Sequence, residues 1–182
     1  MKRVYLLVES PTNAAFVRRV LPPESQKDVE IAPVDSGLAS LARTLLVLRR
    51  KPIAVLLDSD SLNPNVIAER RREVEELIRA ANSAVPVKVV SVVPTIEAWF
   101  FAAPEAIERF LGQTISAEWR AFGKRDPKGV LQQLAANQQK TWDTLQAISS
   151  FDAHDVERIR AVPEVAELTA FLLKMQTSYQ AA

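Results

Sequence analysis

The sequence predicts an α/β protein with a parallel sheet flanked by helices and a helical C-terminal extension. Short apolar runs alternate with helical patterns through the first hundred residues, which is the order of a doubly wound parallel sheet. Beyond that point the patterns are almost all helical. No flexible linker separates the two parts. We therefore expect a core over residues 1–103 and a helical extension over residues 104–182 that packs on it.

Four apolar runs are the expected strands of this sheet, and they cover residues 4–8, 29–34, 53–57 and 85–93. The first and third runs contain no charged residue, which is typical of strands buried on both faces of a parallel sheet. The helical patterns between the strands cover residues 14–21, 38–50 and 66–81. Asp35-Ser36-Gly37 is expected to cap the second helix, and Asn63 to open the third. Alternating charges in the third helix predict a solvated face with i,i+4 pairs.

The expected helices of the extension cover residues 105–111, 117–122, 127–136, 141–149 and 155–179, with Pro104 at the start and an interruption near Pro163. Three consecutive aromatic residues, Trp99 to Phe101, stand between the sheet and these helices. Such rings could stack on nucleic-acid bases. Their apolar setting favours instead that they bury the joint between sheet and extension.

Composition narrows the class of protein. The chain has 182 residues with a net charge of +1, so any attraction to a polyanion must come from a local basic face. It contains no cysteine, which excludes disulfides and thiolate metal sites and fits a cytoplasmic location. Glu9 interrupts the first apolar run too early for a signal peptide, and no run is long enough to cross a bilayer. We expect a cytoplasmic protein that does not associate with membranes.

The third apolar run ends in Asp58 and Asp60, with one serine between them. Side chains alternate along a strand, so both carboxylates are expected to point the same way. Ligands of open α/β sheets bind beyond the carboxyl ends of the strands, where Glu9 follows the first run. Two convergent carboxylates can hold Mg²⁺, with waters or a phosphate in the remaining positions. The alternative is that Asp58 caps the following loop and Asp60 is solvated.

Other chemistries have less support in the sequence. His154 is the only histidine, which excludes a zinc site built from several histidines. The sequence also shows no histidine base for a catalytic triad with Ser59 or Ser61. The chain has neither a P-loop nor a glycine-rich dinucleotide fingerprint. Carboxylate-based metal chemistry is therefore the principal candidate.

Two motifs resemble the Toprim domain, the Mg²⁺-binding α/β module of topoisomerases, bacterial primases, recombination proteins and OLD-family nucleases. The run 8–11 (VESP) is similar to the segment after the first strand of type IA topoisomerases, and the run 57–60 (LDSD) to the DxD motif after the third. The run 93–99 (VPTIEAW) resembles a P-x-I-E-x-W segment of small stand-alone bacterial Toprim-like proteins. Some of those occur beside ATPase partners in defence or mobile-element settings. The resemblance covers about the first hundred residues.

This resemblance implies that Asp58 and Asp60 bind Mg²⁺, with Mn²⁺ as the alternative cation. Glu9 would act as general acid/base or as a further ligand, and Glu97 would supply another carboxylate. A cation held by carboxylates neutralises a phosphodiester and activates the attacking nucleophile. The implied activity is hydrolysis of nucleic acid, as in a nuclease. The resemblance also implies a separate ATPase subunit as a partner.

Departures from the family pattern support a second hypothesis. Leu62 stands where topoisomerases and primases carry a third acid, and Asn13 where many stand-alone relatives have an aspartate. These residues favour a catalytically silent binding or regulatory subunit that works with a separate ATPase. Tyr5 and Tyr179 do not stand in a topoisomerase-like context, which argues against strand passage. A third hypothesis is a structural α/β domain with acidic turns.

Two small basic groups are candidates for contacts with phosphates of nucleic acid. Arg18 and Arg19 follow the first acid, and Lys124, Arg125 and Lys128 form the other group. Phosphate contacts of this kind hold a nucleic acid in place without reading its sequence. The alternative is that these residues are ordinary solvated charges.

Overall fold

In the computed structural model, which describes residues 3–178, four parallel strands form a single sheet in the order β2-β1-β3-β4. The strands are β1 (Val4–Val8), β2 (Val29–Pro33), β3 (Ile53–Asp58) and β4 (Val87–Val92). The two central strands, β1 and β3, are apolar along the runs that predicted them and are almost wholly buried. The predicted α/β class with a parallel sheet is confirmed.

Helices cover both faces of the sheet and form the extension. Those between the strands are α1 (Pro11–Val20), α2 (Pro23–Gln26), α3 (Leu38–Arg49) and α4 (Pro64–Arg79). A 3₁₀ segment (Ile96–Ala102) follows β4. The extension contains α5 (Pro104–Leu111), α6 (Ala117–Gly123), α7 (Pro127–Asn137), α8 (Thr144–Ser149), α9 (Ala153–Arg160) and α10 (Pro163–Ser178). Tyr179, with which the last predicted helix ended, lies outside the described residues.

Capping explains where the helices differ from expectation. α1 begins at Pro11 because the Ser10 hydroxyl accepts a hydrogen bond from the Asn13 amide (3.0 Å) and proline suits the first helical position. The helix therefore begins three residues before the predicted pattern 14–21. The N-cap of α3 lies within the predicted segment 35–37, where Gly37 occupies the cap position in a left-handed conformation (φ +69°). Asn63 caps α4 as predicted, accepting from the Asn65 amide.

One face of the sheet and the extension share a single apolar core. Its centre is a set of packed rings that we call the aromatic joint: Phe16, Trp99, Phe100, Phe101, Trp142 and Phe151. Phe100 is fully buried, and its ring centroid lies 4.9 Å from that of Phe16 and 5.1 Å from that of Trp142. Trp99 and Phe101 are also buried, so the prediction that this triplet fills the joint is confirmed.

The other face of the sheet packs against α3 and α4, with Leu46 and Ile78 fully buried there. The outer side of α4 carries the predicted i,i+4 pairs, such as Arg79 with Glu75 (2.7 Å). Arg71 differs from that expectation, because it pairs with Glu167 of α10 (2.8 Å). No helix in residues 3–178 is long and apolar enough to cross a membrane.

Candidate active site

A cleft of about 590 Å³ opens at the carboxyl ends of β1 and β3. Four acids line it from the sheet side, and we call it the acidic cleft after them: Glu9, Asp58, Asp60 and Glu97. The extension closes the opposite side with Lys128 at the start of α7 and with residues 142–145 before and within α8. The structure thus brings together all the acids that the sequence singled out, although they are up to 88 positions apart (97 − 9).

Asp58 is the central carboxylate of the cleft. As the last residue of β3, it donates its backbone amide to Glu9 Oε2 (2.5 Å). Its own Oδ1 accepts from the backbone amide of Ile96 (2.9 Å), at the start of the 3₁₀ segment. These two hydrogen bonds, one to the backbone and one to the side chain of Asp58, tie the ends of β1, β3 and β4 together. Glu9 and Asp58 are consequently close enough to serve one ligand.

Asp58 and Glu9 are partly buried beside other acids, and this changes the protonation of both. Burial, followed by the charges of Glu9 and Glu97, raises the pKa of Asp58 to about 7, against the opposing effect of Lys128. Burial also raises the pKa of Glu9, which the hydrogen bond from Asp58 and the charge of Arg70 partly offset. A divalent cation bound by these neighbouring carboxylates would offset the repulsion between their charges. Their chemistry therefore fits a hard cation such as Mg²⁺.

Asp60 reaches the cleft through a loop conformation rather than through strand geometry. Its φ is +50°, and its backbone amide donates to the Pro94 carbonyl (2.9 Å). The prediction that strand alternation aligns Asp58 with Asp60 is therefore wrong, because β3 ends at Asp58. The Asp60 carboxylate is 62% exposed and lies 3.4 Å from Arg70 of α4. Arg70 also donates to the Ser59 carbonyl (3.1 Å), which holds it beside the acid.

Glu97 enters the cleft from the segment after β4. Its side chain is only 12% exposed and accepts a hydrogen bond from the Thr95 hydroxyl (2.7 Å). Lys128 Nζ lies 3.8 Å from the same carboxylate oxygen. The resemblance had suggested that Glu97 could take the place of a missing acid, and the structure brings it beside Asp58, whose pKa it raises. Lys128 adds the positive group that a bound phosphate needs.

The acids do not form a complete metal cage on their own. Within residues 3–178, no three His, Cys, Asp or Glu side chains are arranged so as to hold a metal ion. Mg²⁺ often binds through only one or two protein carboxylates and completes its shell with waters and substrate phosphates. The residues therefore fit a cation that is held by Asp58 and a neighbouring acid and completed by its ligand.

The two basic groups separate in space. Lys128 lines the acidic cleft, and Arg125 lines a smaller recess next to it together with Asp60. Lys124 is exposed at the end of α6 and is not among the residues that line either recess. Arg18 and Arg19 stand at the C-terminal end of α1, where they line a different cleft. Their expected position beside the acids is therefore wrong.

The two departures from the family pattern have different surroundings. Leu62 is 49% exposed and lines a groove beside α4, outside the acidic cleft. Asn13 does line the acidic cleft and is only 6% exposed, and its side-chain oxygen accepts from the Ser10 hydroxyl (2.9 Å). A neutral amide thus stands at the start of α1, beside the acids.

Several residues in the cleft or in contact with its acids were not found from the sequence. The segment 142–145 lines the cleft, whereas Arg70 and Thr95 contact Asp60 and Glu97. Asp143 could have been recognised as an N-cap residue, because aspartate is typical of that position. It caps α8 by accepting a hydrogen bond from the Gln146 amide (3.0 Å), whereas the predicted helix included it. Nothing in the spacing indicates that α8 packs beside α1 at the strand ends.

Comparisons of the chain with protein-family models, with curated proteins and with solved structures found no match. The acidic cleft and the physical chemistry of its residues are therefore the basis on which function is inferred. The feature that most needs explanation is a half-buried group of carboxylates at the end of a parallel sheet, with a lysine facing it.

Proposed function

We propose that this protein is a Mg²⁺-dependent phosphodiester hydrolase that acts on nucleic acid, with a Toprim-like core over residues 1–103. The observation that carries the proposal is the burial of Asp58 beside Glu9 and Glu97, which together raise the pKa of Asp58 to about 7. A protein gains no stability from such an arrangement, whereas a bound cation would compensate it and could then hold a phosphate. Mn²⁺ would serve as the alternative cation.

Each residue has a distinct part in this proposal. Asp58 would hold the cation, with Asp60 or Glu97 as its second carboxylate. A bound Mg²⁺ supplies charge neutralisation at the phosphate and a more acidic water. Glu9 has a raised pKa and lines the cleft, so it suits proton transfer as general acid or base. Lys128 would orient a phosphate oxygen from the opposite wall.

A second candidate function is a catalytically silent subunit that works with a separate ATPase. Two observations favour it: Asp60 is paired with Arg70 (3.4 Å), and the described residues contain no three-acid metal group. In this case the cleft would sense a cation or bind a partner without cleaving a phosphodiester. The proposed setting is the cytoplasm for both functions, in a defence or mobile-element context.

The deciding experiment is calorimetric titration of Mg²⁺ and of Mn²⁺ into the wild type and the Asp58→Ala/Asp60→Ala variant. The same samples are then incubated with single- and double-stranded DNA and RNA, and the products are separated on gels. The hydrolase proposal expects metal binding and cleavage in the wild type and neither in the variant. A matched control is Glu69→Ala/Glu73→Ala, which removes the same charge from the exposed side of α4.

The outcomes separate the two functions. Metal binding without cleavage of any nucleic acid supports the silent subunit and rejects the hydrolase. Cleavage that persists in the Asp58→Ala/Asp60→Ala variant points to a contaminating nuclease and also rejects the proposal. If neither cation binds even with nucleic acid present, the acids are turn residues and both functions are wrong.

A further inference from the structure

A second cleft, of about 340 Å³, lies at the other end of α1 from the acidic cleft. We call it the arginine cleft, because Arg18, Arg19 and Arg160 line it. Glu157 is the acid among its lining residues, and the remaining ones are apolar or uncharged. Three guanidinium groups against one carboxylate give this cleft a net positive charge.

The three arginines are held in position by main-chain carbonyls. Arg18 donates to the Ile31 carbonyl (2.7 Å), Arg160 to the Val20 carbonyl (2.7 Å) and Arg19 to that of Phe151. Among residues 3–178, none of these three arginines forms an ion pair within 4.0 Å. A carbonyl fixes a guanidinium without neutralising its charge. Each arginine therefore keeps donors and charge for an anion, and guanidinium is well suited to phosphate.

α1 connects the two clefts directly. The helix begins next to Glu9 and ends at the arginines, and the rise from Ser10 to Arg19 is about 13 Å at 1.5 Å per residue. Residues 11, 15 and 18 share one side of a helix, and Pro11 and Arg18 are exposed there while Ala15 is partly exposed. Small side chains thus cover the surface between the clefts. A strand with the axial rise of B-DNA, about 3.4 Å per phosphate, would place about four phosphates over this length.

We propose that α1 carries a polynucleotide strand from the acidic cleft to the arginine cleft. The inference rests on the proposed function for its first end, where the reacting phosphate would lie. The arginine cleft would bind a phosphate of the same strand about four nucleotides away. The substrate is accordingly a polymer, because a mononucleotide or free phosphate can occupy only one of the two clefts at a time.

The test measures affinity against length by fluorescence anisotropy, with labelled oligothymidylates of 2, 4, 6, 8 and 12 nucleotides in Mg²⁺ buffer. The protein is the full chain with Asp58→Asn, so that no substrate is consumed. We expect at least about a tenfold gain in affinity between 2 and 6 nucleotides and little beyond. This series needs no change in the arginine cleft, so it remains informative if the arginine variants fold poorly.

The second arm adds Arg18→Gln/Arg19→Gln to the same chain. We expect the gain with length to disappear and the slope of log K against log salt to become shallower by about 1.4, for two lost contacts with a single strand. The matched control, Arg43→Gln/Arg49→Gln, removes the same charge from α3 on the opposite face of the sheet. The control should leave both the length dependence and the slope unchanged. Thermal melting checks that each variant is folded.

The outcomes distinguish this inference from the proposed function. Length-dependent binding that Arg18→Gln/Arg19→Gln abolishes supports the inference even if the wild type cleaves nothing. If the wild type cleaves but affinity neither depends on length nor responds to the arginine variant, the inference is wrong and the hydrolase stands. If inorganic phosphate competes as well as the 12-nucleotide strand, the arginine cleft binds single anions and the inference is also wrong.

Discussion

The acidic cleft and the aromatic joint are neighbouring regions built on opposite principles. The 3₁₀ segment (Ile96–Ala102) contributes to both, since Glu97 faces the cleft and Phe100 is fully buried in the joint. Trp142 also belongs to both, lining the cleft while its ring packs edge-on against Phe100. In the joint every ring has apolar neighbours. In the cleft, burial and the charges of Glu9 and Glu97 raise the pKa of Asp58.

This difference indicates how stability and function are divided within one fold. The joint fixes the 3₁₀ segment by packing, and the fixed segment then presents Glu97 and the Ile96 amide to Asp58. Removing apolar contacts from the joint should cost stability at any pH. Removing the Asp58 charge from the cleft should instead stabilise the protein while harming the proposed activity, as is common for functional sites.

The largest effect is expected from Phe100→Ala in the joint. Phe100 is fully buried against three aromatic rings, so the truncation should lower the free energy of unfolding by about 4 kcal/mol. Urea denaturation followed by circular dichroism measures this. Phe122→Ala is the matched control, because that ring is 58% exposed and its loss should cost less than about 1 kcal/mol. Similar losses in both variants would show that Phe100 is not at the centre of the packing.

Gly123→Ala should have the next largest effect, because it places a methyl group against the ring of Phe101. A Cβ at position 123 would overlap the Phe101 ring, so we expect a loss of about 2 to 3 kcal/mol from overpacking. A double-mutant cycle with Phe101→Leu checks the cause. If the overlap is responsible, Gly123→Ala costs at least about 1 kcal/mol less when residue 101 is leucine. Simple additivity would contradict this explanation.

Asp58→Asn should stabilise the metal-free protein by about 2 to 3 kcal/mol more at pH 8 than at pH 5. The native chain keeps the Asp58 proton up to about pH 7, whereas the unfolded chain releases it near 3.8. The native state therefore binds more protons in this window, and its stability falls as the pH rises through it. Asparagine has no such cost and keeps an oxygen for the Ile96 amide.

Urea denaturation at the two pH values, in buffer with a chelator, measures this prediction. The control is Asp35→Asn, which changes an exposed acid. At each pH value its free energy of unfolding should equal that of the wild type. A stabilisation by Asp58→Asn of equal size at pH 5 and pH 8 would show that its charge is not the cause.

The sequence was sufficient for the features that depend on local pattern. The apolar runs 4–8 and 53–57 predicted the two buried central strands, because a strand covered on both faces needs an unbroken apolar stretch. Parallel topology then brought Glu9 and Asp58 to one edge of the sheet. The burial of Phe100 also followed from its apolar neighbours.

Features that depend on packing between distant elements were not accessible. The left-handed conformation of Asp60 is associated with its hydrogen bond to Pro94, beyond the end of β4. Arg18 is nine positions from Glu9 in the chain, yet the rise of α1 carries it to another cleft. Lys128 and residues 142–145 face the acids only because the extension folds back over the strand ends.

The smallest effect on stability is expected from Arg70→Gln at the rim of the acidic cleft. The pair between Arg70 and Asp60 is exposed, so its loss should change the free energy of unfolding by less than about 0.5 kcal/mol. The effect of Arg70→Gln on the affinity for Mg²⁺ should be larger, because the substitution removes a positive charge that competes with Mg²⁺ for Asp60. We expect affinity for Mg²⁺ to rise about threefold at low salt and less at high salt.

Calorimetric titration measures the affinity for Mg²⁺, and Arg72→Gln is the matched control, since it removes the same charge from an exposed i,i+4 pair with Glu76. That control should leave Mg²⁺ affinity unchanged. Weaker Mg²⁺ binding in Arg70→Gln would contradict the expectation in an informative way. It would mean that Arg70 holds Asp60 in the orientation that a cation needs, so that the pair belongs to the site rather than competing with it.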